Sequence, residues 1–555
     1  TLSSSSAASD VYKRQSLGTV LLMEDLTVLG EILIKGKKPN ITVSPNKTVV
    51  NIENSALSKG STSLQVLERS PGVYLGQDGN FQINGKSGVL VMINNRRSYM
   101  GPDELITYLS SVSADNIKSI EIINSPGARY DAEGVAGIIN ITLKNSVEEG
   151  INGNLYAGTL YNSELGYNGG GTINYRKGKW SMGLTGNYRR SIYDIDLDTK
   201  REFDVDDTLS VLNQNSISTI KGHSYFGNAV VDYSLNENHT IGTTIQYSKG
   251  NDDEHYDSQT TILSQYDEVP QLTNSITNGT GKNNRLMLNL HYTGKLDTIG
   301  SNLFIDFDYV NAENNFSSFQ SNQYEGQTNN RSDLISTNNF VFHDILVGKI
   351  DYSKVLKKGG TFDFGLKGSK VESDNNQLTA LSVNEEWISN QDDSEHIIYE
   401  EEILAGYMNY GTSIFNSVDL SLGLRAEYTE TDNNIINANN ILNSSYLDFF
   451  PNFSANYSIN NNNVLSFNYN RRISRPNYQW LNPSVTYIDP YTLERGNSGL
   501  TPMYSNNFEI NSIFKNKYKV SISYSNSEDA FSTVLIQEDQ DRRTTILLDN
   551  IDSVN

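Results

Sequence analysis

The feature that most constrains the fold is an alternation of apolar and polar residues that begins near Gly150 and continues to the end of the chain. Trp180, Met182 and Leu184 share one parity, and Ser, Gly and Thr occupy the positions between and after them. A period of two is what a β-strand with two different faces requires. No stretch approaches the ~18 to 20 continuous apolar residues of a membrane-spanning helix. If the chain crosses a membrane, it must therefore cross as a closed barrel, which also satisfies the backbone in lipid.

Four observations favour a membrane barrel over a soluble β array. The opposite parity carries mostly Asn, Ser, Asp, Lys, Thr and Gly, as a wet lumen requires. Short connections alternate with long polar ones, which matches periplasmic turns and extracellular loops. No fixed-period repeat supports a propeller, the main soluble alternative. Tyr also ends many strands on the apolar parity, where an aromatic girdle belongs: Tyr188, Tyr233, Tyr247, Tyr292, Tyr309, Tyr428, Tyr457 and Tyr469.

The number of strands suggests an incomplete barrel. We count about sixteen strands from Asn152 onward, against about 22 in plugged transporter barrels. The chain ends at Ser553-Val-Asn555 without a terminal aromatic strand. The fold expected is mostly β: a transmembrane antiparallel barrel over residues 147–555, truncated at its C-terminus.

The residues before the barrel follow a different pattern. Val89–Ile93 is continuously apolar, as in a strand buried on both faces, and Pro102–Leu109 reads as a short helix with Pro in its first turn. We therefore expect an α+β domain over residues 40–146. Residues 1–15 (TLSSSSAASDVYKRQ) fit neither pattern and are interpreted as a non-native cloning scar. No signal peptide is visible, and we expect the native N-terminus to be missing.

Composition and spacing argue against several other functions. The net charge of −22 and the lack of a basic stripe disfavour a nucleic-acid partner. There is no Cys, and the six His residues lack ligand spacing, so we predict no metal and no cofactor. Asp194, Asp196 and Asp198 have the spacing of a calcium loop, but Thr199 and Val205 replace the required Gly and Glu. No G-x-S-x-G motif occurs, and we predict that the chain is not an enzyme; a lipase-like barrel remains a third alternative.

The stretch Ile120–Lys144 resembles the end of the plug domain of the TonB-dependent outer-membrane receptor family. The Gly residues in it are expected to allow turns where a Cβ would clash. Leu64–Val73, Phe81–Arg96 and Arg495–Glu509 resemble other parts of that family. Where the family often has Tyr-Gly, this chain has Tyr130-Asp131. The residues taken as the structural motif of the plug are Pro126, Gly127, Arg129, Tyr130, Gly134, Gly137 and Asn140.

The resemblance implies a plug inside the barrel lumen and energy from a TonB-type protein in the periplasm. Within the periplasmic segment 16–39, the stretch Glu31, Ile32, Leu33, Ile34 and Lys35 resembles the TonB box, a short strand that can add to a partner's sheet edge. By position, the ligand-binding apices of the plug are Lys86, Ser87, Arg97, Ser98 and Tyr99. Arg129 and Glu133 are alternatively expected to clamp the plug to the lumen wall.

The function that the resemblance implies is active transport of a scarce ligand, siderophore-like or another large solute. The expected location is the outer membrane of a Gram-negative bacterium, with lipid, the TonB-type protein and an extracellular ligand as partners. The alternative is a passive or surface-binding outer-membrane barrel without energy coupling.

Overall fold

The computed structural model describes residues 41–554 apart from positions 45, 54, 56–60, 77–78, 145–148, 206–207, 266–268, 327–330, 358, 384–385, 416, 439 and 516. The predicted TonB box and the rest of residues 1–40 lie outside the described residues. In the described part of the chain, no helix has both the length and the apolar character needed to cross a membrane.

The N-terminal elements form a small α+β domain, as predicted. The elements are β1 (Ile41–Val43), β2 (Lys47–Asn51), α1 (Ser63–Glu68), β3 (Val73–Leu75), β4 (Phe81–Ile83), β5 (Val89–Ile93), β6 (Arg96–Arg97), α2 (Pro102–Ser111), a 3₁₀ turn (Ala114–Asn116), β7 (Ile117–Ile123) and β8 (Gly137–Leu143). A six-stranded sheet has the order β1-β2-β7-β8-β5-β6, with β5 and β8 parallel, and β3 and β4 form a separate hairpin.

Local sequence signals set the bounds of the two helices. Thr62 and Gln65 form a reciprocal capping box that satisfies free backbone N–H groups at the start of α1. The chain turns away after α1 at Gly72, whose φ is +76°. Pro102 occupies the first turn of α2, where no intrahelical N–H is needed. Both helices pack on the sheet around a core that includes Leu67, Leu109 and other buried apolar residues.

The rest of the described residues form one large sheet arranged as a barrel, antiparallel except for the short parallel pairing of residues 492–495 with 544–547. Sixteen strands have 12 residues or more, which confirms the predicted number, and three short strands have 4 or 5. The strands are β9 (Gly150–Tyr161), β10 (Leu165–Lys177), β11 (Trp180–Val205), β12 (Thr208–Asn236), β13 (His239–Ser264), β14 (Gln271–Lys295), β15 (Asn302–Glu325), β16 (Arg331–Val355), β17 (Thr361–Val383), β18 (Glu386–Ser389), β19 (Glu395–Ile414), β20 (Val418–Ile435), β21 (Asn440–Asn460), β22 (Asn463–Ser474), β23 (Val485–Asp489), β24 (Thr492–Arg495), β25 (Met503–Phe514), β26 (Tyr518–Glu538) and β27 (Arg543–Val554).

The two faces of the barrel strands are the reverse of those in a soluble protein. Leu290 lies opposite Phe307 in the register of β14 and β15, and both side chains are exposed on the outer face. On the inner face, Asn289 is 1% exposed and Asp351 is 3% exposed. Apolar residues outside and polar residues inside are what a membrane barrel with a wet lumen requires, so the predicted face assignment is confirmed.

Most of the polar segments expected to be long loops are instead paired strand. Between Arg190 and Ser224, β11 and β12 remain in register up to the pair Val205 and Thr208. The polar composition of this segment resembles that of a loop, but its Thr and Ile residues favour β-structure, and pairing satisfies the backbone. The exception is the connection from β22 to β25, residues Arg475–Pro502, called the mouth segment below. It contains a 3₁₀ turn (Tyr478–Leu481) and the hairpin β23–β24.

Candidate functional site

The residues that follow β7 bind the plug to the barrel. This segment, Asn124–Gly134, is called the seam, and its contacts reach inward-facing residues of β16, β17, β20, β22 and β25. The contacts are Asn124 with Glu509, Ser125 with Asn470, Ala132 N–H with Glu427, Asp131 with Lys367 and Arg425, and Arg129 with Asp351.

Asp131 makes the densest set of ionic contacts in the seam. Its carboxylate lies 2.7 Å from Nζ of Lys367 and 3.3 Å from Nη2 of Arg425. Burial alone would raise the pKa of Asp131, but the charges of Lys367 and Arg425 outweigh it and hold the pKa well below its usual range. Arg425 also donates to Glu427 at 2.6 Å, and both side chains are 2% exposed. The carboxylate of Asp131 is thus held inside a buried ion network of the barrel.

Arg129 and Glu133, the two residues considered as clamps, are used differently. Nε of Arg129 lies 3.4 Å from Asp351 on β16, across the boundary between plug and barrel. The Glu133 side chain instead forms a bidentate pair with Arg97 inside the plug, at 2.5 and 3.0 Å. The backbone at Glu133 does face the barrel, since its carbonyl accepts from Nη2 of Arg472 at 2.5 Å.

The glycines of the plug motif are not equivalent. Gly137 has φ +121°, and a Cβ there would lie 2.5 Å from the carbonyl oxygen of Ile123. Gly134 has φ +99° and a Cβ there would lie 3.1 Å from Leu90. At Gly127 the nearest atom would be 3.8 Å away, so the expectation of a clash there is wrong. Asn140, 1% exposed, donates to Asn95 at 2.8 Å and so ties β8 to the turn after β5.

This difference gives a first prediction. Gly137→Ala should destabilise the protein by about 1–3 kcal/mol, because the left-handed backbone and the Ile123 carbonyl both oppose a Cβ. Gly127→Ala, the matched control, should change stability by less than about 0.5 kcal/mol. Urea unfolding of the detergent-solubilised protein measures both. Equal effects of the two substitutions would contradict the account.

The predicted ligand-binding apices lie in two separate loops. The pKa of Lys86 is lowered because the side chain is partly buried, and the nearby charge of Glu509 on β25 offsets only part of that effect. Ser87 Oγ accepts from Gln82 in the same hairpin region. Arg97 ends the short strand β6 and Ser98 and Tyr99 follow it directly, with the Arg97 guanidinium 5.4 Å from the centre of the Tyr99 ring. Of the two remaining motif residues, Pro126 is buried and Tyr130 packs against a small cluster that includes Leu90 and Ile138.

The mouth segment crosses the lumen on the side of the long strands, a feature that the sequence reading missed. Its polar and backbone groups bind inward-facing residues of β11, β12, β14, β15 and β17. The contacts are Thr492 with Arg201, Asp489 with Gln214, Tyr491 with Thr273, Ile488 O with Gln320, and Val485 O with Gln377, at 2.7 to 3.1 Å. The signal in the sequence was its apolar and aromatic content, since an exposed loop has no need of Leu481, Tyr491 and Leu493, which are buried here.

The mouth segment and the seam share the same buried ions. Arg475, the first residue of the mouth segment, lies 2.9 Å from Glu427 and 3.8 Å from Glu401. Glu427 in turn binds Arg425, the partner of Asp131. A chain of ion pairs therefore connects the mouth segment, through Glu427 and Arg425 on β20, to Asp131 of the plug.

Two family models match the chain. Residues 40–138 match the TonB-dependent Receptor Plug Domain, and residues 294–555 match the Outer membrane protein beta-barrel family. A plug bound inside a barrel with an apolar outer face agrees with both. The chain belongs to the TonB-dependent receptor family. As such a receptor it is located in the outer membrane of a Gram-negative bacterium and transports a scarce ligand across it.

Solved structures of TonB-dependent receptors share this fold at low sequence identity. The ferric enterobactin receptor PfeA of Pseudomonas aeruginosa is 14% identical with a TM-score of 0.55; the match covers 92% of this chain and 77% of that one. The copper transporter OprC is 12% identical with a TM-score of 0.60, over 92% and 75% of the two chains. The ferric-catecholate import receptor Fiu of E. coli is 11% identical with a TM-score of 0.54, over 93% and 77%. No curated protein sequence matches the chain.

The family is one of transporters and receptors rather than enzymes. Across the residues that the structure describes, no group of three or more His, Asp or Glu side chains could hold a metal ion. Asp194, Asp196 and Asp198 lie along β11, and Asp198 accepts from Asn215 on the neighbouring strand.

Proposed function

We propose that this receptor imports a siderophore-like ligand by TonB-driven rearrangement of its plug. The observation that supports it is the seam, where buried charges on plug and barrel neutralise each other. Separating one partner from a buried ion pair costs about 3–5 kcal/mol, and the seam contains several such contacts. Thermal motion alone rarely opens such an arrangement, so transport of a large solute requires work from outside the barrel.

The mechanical force from the TonB-type protein is proposed to act on Glu31–Lys35. A short strand ahead of the plug can pair with the sheet edge of a TonB-type protein in the periplasm. Pulling on it would draw on β1 and β2, which lead through the sheet into β7 and the seam. The geometry of the plug supports this order of events because β2 pairs directly with β7.

The proposed ligand contacts lie below the mouth segment. Arg97 and Tyr99 are the plug apices proposed to take part, because Arg97 is close enough to Tyr478 of the mouth segment to oppose the rise in the pKa of Tyr478 that burial causes. The rings of Tyr399 and Tyr478 are 5.1 Å apart, and both hydroxyls donate to Glu401, which lies 3.8 Å from Nε of Arg475. Aromatic faces with guanidinium groups suit an anionic, aromatic iron chelate. The matched structures include receptors for enterobactin and alcaligin, which supports the same ligand class.

Removal of the TonB box gives the second prediction. Deleting Glu31–Lys35 should abolish uptake of iron-55 enterobactin while its binding to the cell surface persists, because binding needs no work. Deleting residues 1–15, interpreted as a scar, is the control and should leave uptake unchanged. The assay uses cells that lack their own catecholate receptors.

The same assay separates this proposal from a passive or surface-binding barrel. Uptake by a passive barrel would survive both the deletion and collapse of the proton gradient, and a surface binder would show no uptake at all. Unchanged uptake in the deletion variant would refute the box assignment. If enterobactin is neither bound nor imported, ferric alcaligin is the second probe, and failure of both would reject the siderophore class.

A further inference from the structure

The hairpin β23–β24 of the mouth segment is bound to the inner wall of the barrel largely through its backbone. Three of its backbone carbonyls accept hydrogen bonds from side chains of the wall. The pairs are Val485 O with Nε2 of Gln377 at 2.8 Å, Ile488 O with Nε2 of Gln320 at 3.1 Å, and Tyr491 O with Nη1 of Arg201 at 3.0 Å. Every residue has a backbone carbonyl, so these contacts hold an extended chain without regard to its sequence.

Two side chains of the hairpin fill pockets in the same wall. The ring of Tyr491 packs in an apolar pocket formed by Phe203, Leu212 and Ile262. Its hydroxyl lies 2.7 Å from Oγ1 of Thr273. The carboxylate of Asp489 accepts from Nε2 of Gln214 at 2.9 Å. Pockets for individual side chains give a peptide site its specificity, and these two suit an aromatic residue and an acidic residue two positions before it.

The wall has more hydrogen-bonding capacity than the hairpin uses. Among the described residues, four acceptor atoms on β15 and β17 have no hydrogen-bond partner: Gln320 Oε1, Asn322 Oδ1, Asn375 Oδ1 and Thr379 Oγ1. Their side chains are at most 4% exposed, and a buried acceptor without a donor is unfavourable. One edge of β23 is committed to pairing with β24. A single extended peptide has both edges free, so its N–H groups can reach acceptors that the hairpin leaves unpaired.

The size and chemistry of the wall fit a short peptide. Its buried inward-facing side chains are mainly amides and hydroxyls, such as Ser216, Ser258, Thr273, Gln320, Asn322 and Gln377. The six strands β12–β17 lie ~4.8 Å apart and an extended chain rises ~3.3 Å per residue, so the wall spans roughly 24 Å, or about seven residues. The segment Val485–Tyr491 that contacts it has that length.

We propose that the inner wall of β12–β17 is a peptide-binding site that the chain's own hairpin occupies as an internal competitor. Its ligand is an extended peptide with an aromatic residue and an acidic residue two positions before that. The hairpin leaves the wall when such a peptide takes its place. This site uses none of the residues proposed to contact the siderophore. Peptide binding also needs neither iron nor the TonB-type protein, so the inference is independent of the proposed function.

The test opens the site in two different ways. In the excised chain, Pro483 is joined to Gly496, whose flanking residues already meet, since Asn497 N–H donates to Trp480 O at 2.6 Å. In the released chain, Asp489→Ala and Tyr491→Ala empty both pockets at full length, which keeps the test valid if the excised chain does not fold. The probe is a fluorescein-labelled peptide with the sequence of residues 485–491, Val-Thr-Tyr-Ile-Asp-Pro-Tyr. Its binding to the detergent-solubilised proteins is measured by fluorescence anisotropy.

Both opened chains are expected to bind the peptide at least about tenfold more tightly than the parent. The reason is that a tethered hairpin competes at an effective concentration on the order of millimolar. Replacing the final Tyr of the peptide by Ala should weaken its binding to the opened chains about tenfold, because the apolar pocket is then empty. Equal binding by the parent and both opened chains, or no binding to any of them, would overturn the proposal.

A second comparison shows whether the peptide binds to this wall. In the opened chains, Gln320→Met with Gln377→Met removes two donors to the peptide backbone and should weaken binding about tenfold. The matched control, Gln259→Met with Gln323→Met, changes two exposed amides on β13 and β15 and should stay within about twofold. Equal peptide binding by the wall variant and the control would show that the peptide binds elsewhere and would overturn the assignment.

Discussion

Arg425→Met is expected to produce a leaking barrel, because it removes the barrel cation that binds both Asp131 of the plug and Glu427 of the wall. Two buried carboxylates would then lose a partner, at a cost of about 3–5 kcal/mol for breaking a buried pair. The plug is the part that can move in response, by leaving its bound position in the lumen. Single-channel recording in a planar bilayer should show frequent openings in the variant and almost none in the parent.

The controls for this experiment follow from the network. Arg471→Met changes the same residue type on the outward face of β22, where the side chain donates to Phe449 O, and should not open the barrel. The double variant Asp131→Asn with Arg425→Met should leak less than Arg425→Met, since the plug then no longer carries a buried carboxylate that has lost one of its two cations. A closed Arg425→Met barrel, or a double variant that leaks more than the single one, would contradict the proposed role of the seam.

Excision of the mouth hairpin is the second change with a large expected effect. A Cβ on Gly496 would lie 2.0 Å from the carbonyl oxygen of Asn482, so the two backbones are in contact. Joining Pro483 to Gly496 therefore removes β23 and β24 without stretching the chain. Ser216, 2% exposed on the inner face of β12, should become open to water. In Ser216→Cys, labelling by a membrane-impermeant maleimide should accelerate at least about tenfold on excision.

The labelling comparison has an internal control. The native chain has no Cys, so each introduced thiol reports on one position. Ser445→Cys, on an exposed position of β21, should react at the same rate with and without the hairpin. If the thiol at position 216 reacts as fast in the intact protein as in the excised one, the mouth segment does not cover the lumen.

The sequence predicted the features that depend on periodicity. Alternation placed Leu290 and Phe307 outside and their neighbours inside, and the register pairs them as expected. The apolar run Val89–Ile93 predicted a strand buried on both faces, and it pairs with β8 and β6. Pro102 correctly marked the start of a helix. In each case the information lies within a few adjacent residues.

The candidate site could not be predicted in the same way because its contacts join distant parts of the chain. Asp131 meets Arg425 across 294 positions, and nothing local to either residue states that pairing. One sequence signal did point to Asp131. It occupies a turn position where the family often has Gly, so this chain carries a charged side chain there that requires a partner. Charged residues at lumen parity, such as Lys367, were a second signal. The mouth segment was predicted to be an exposed loop because its sequence is long and polar, and its contacts inside the lumen were therefore missed.

The central claim is that the plug lies inside the barrel and must move for transport. One cross-link between plug and barrel tests both its position and its movement. Ser125 Oγ and Asn470 Nδ2 are 2.8 Å apart across the seam. In Ser125→Cys with Asn470→Cys, a short reducible thiol cross-linker should join plug to barrel in intact cells, stop uptake of the imported siderophore, and restore it on reduction. Failure of the cross-link to form in the folded protein, or unchanged uptake while it is in place, would contradict the account.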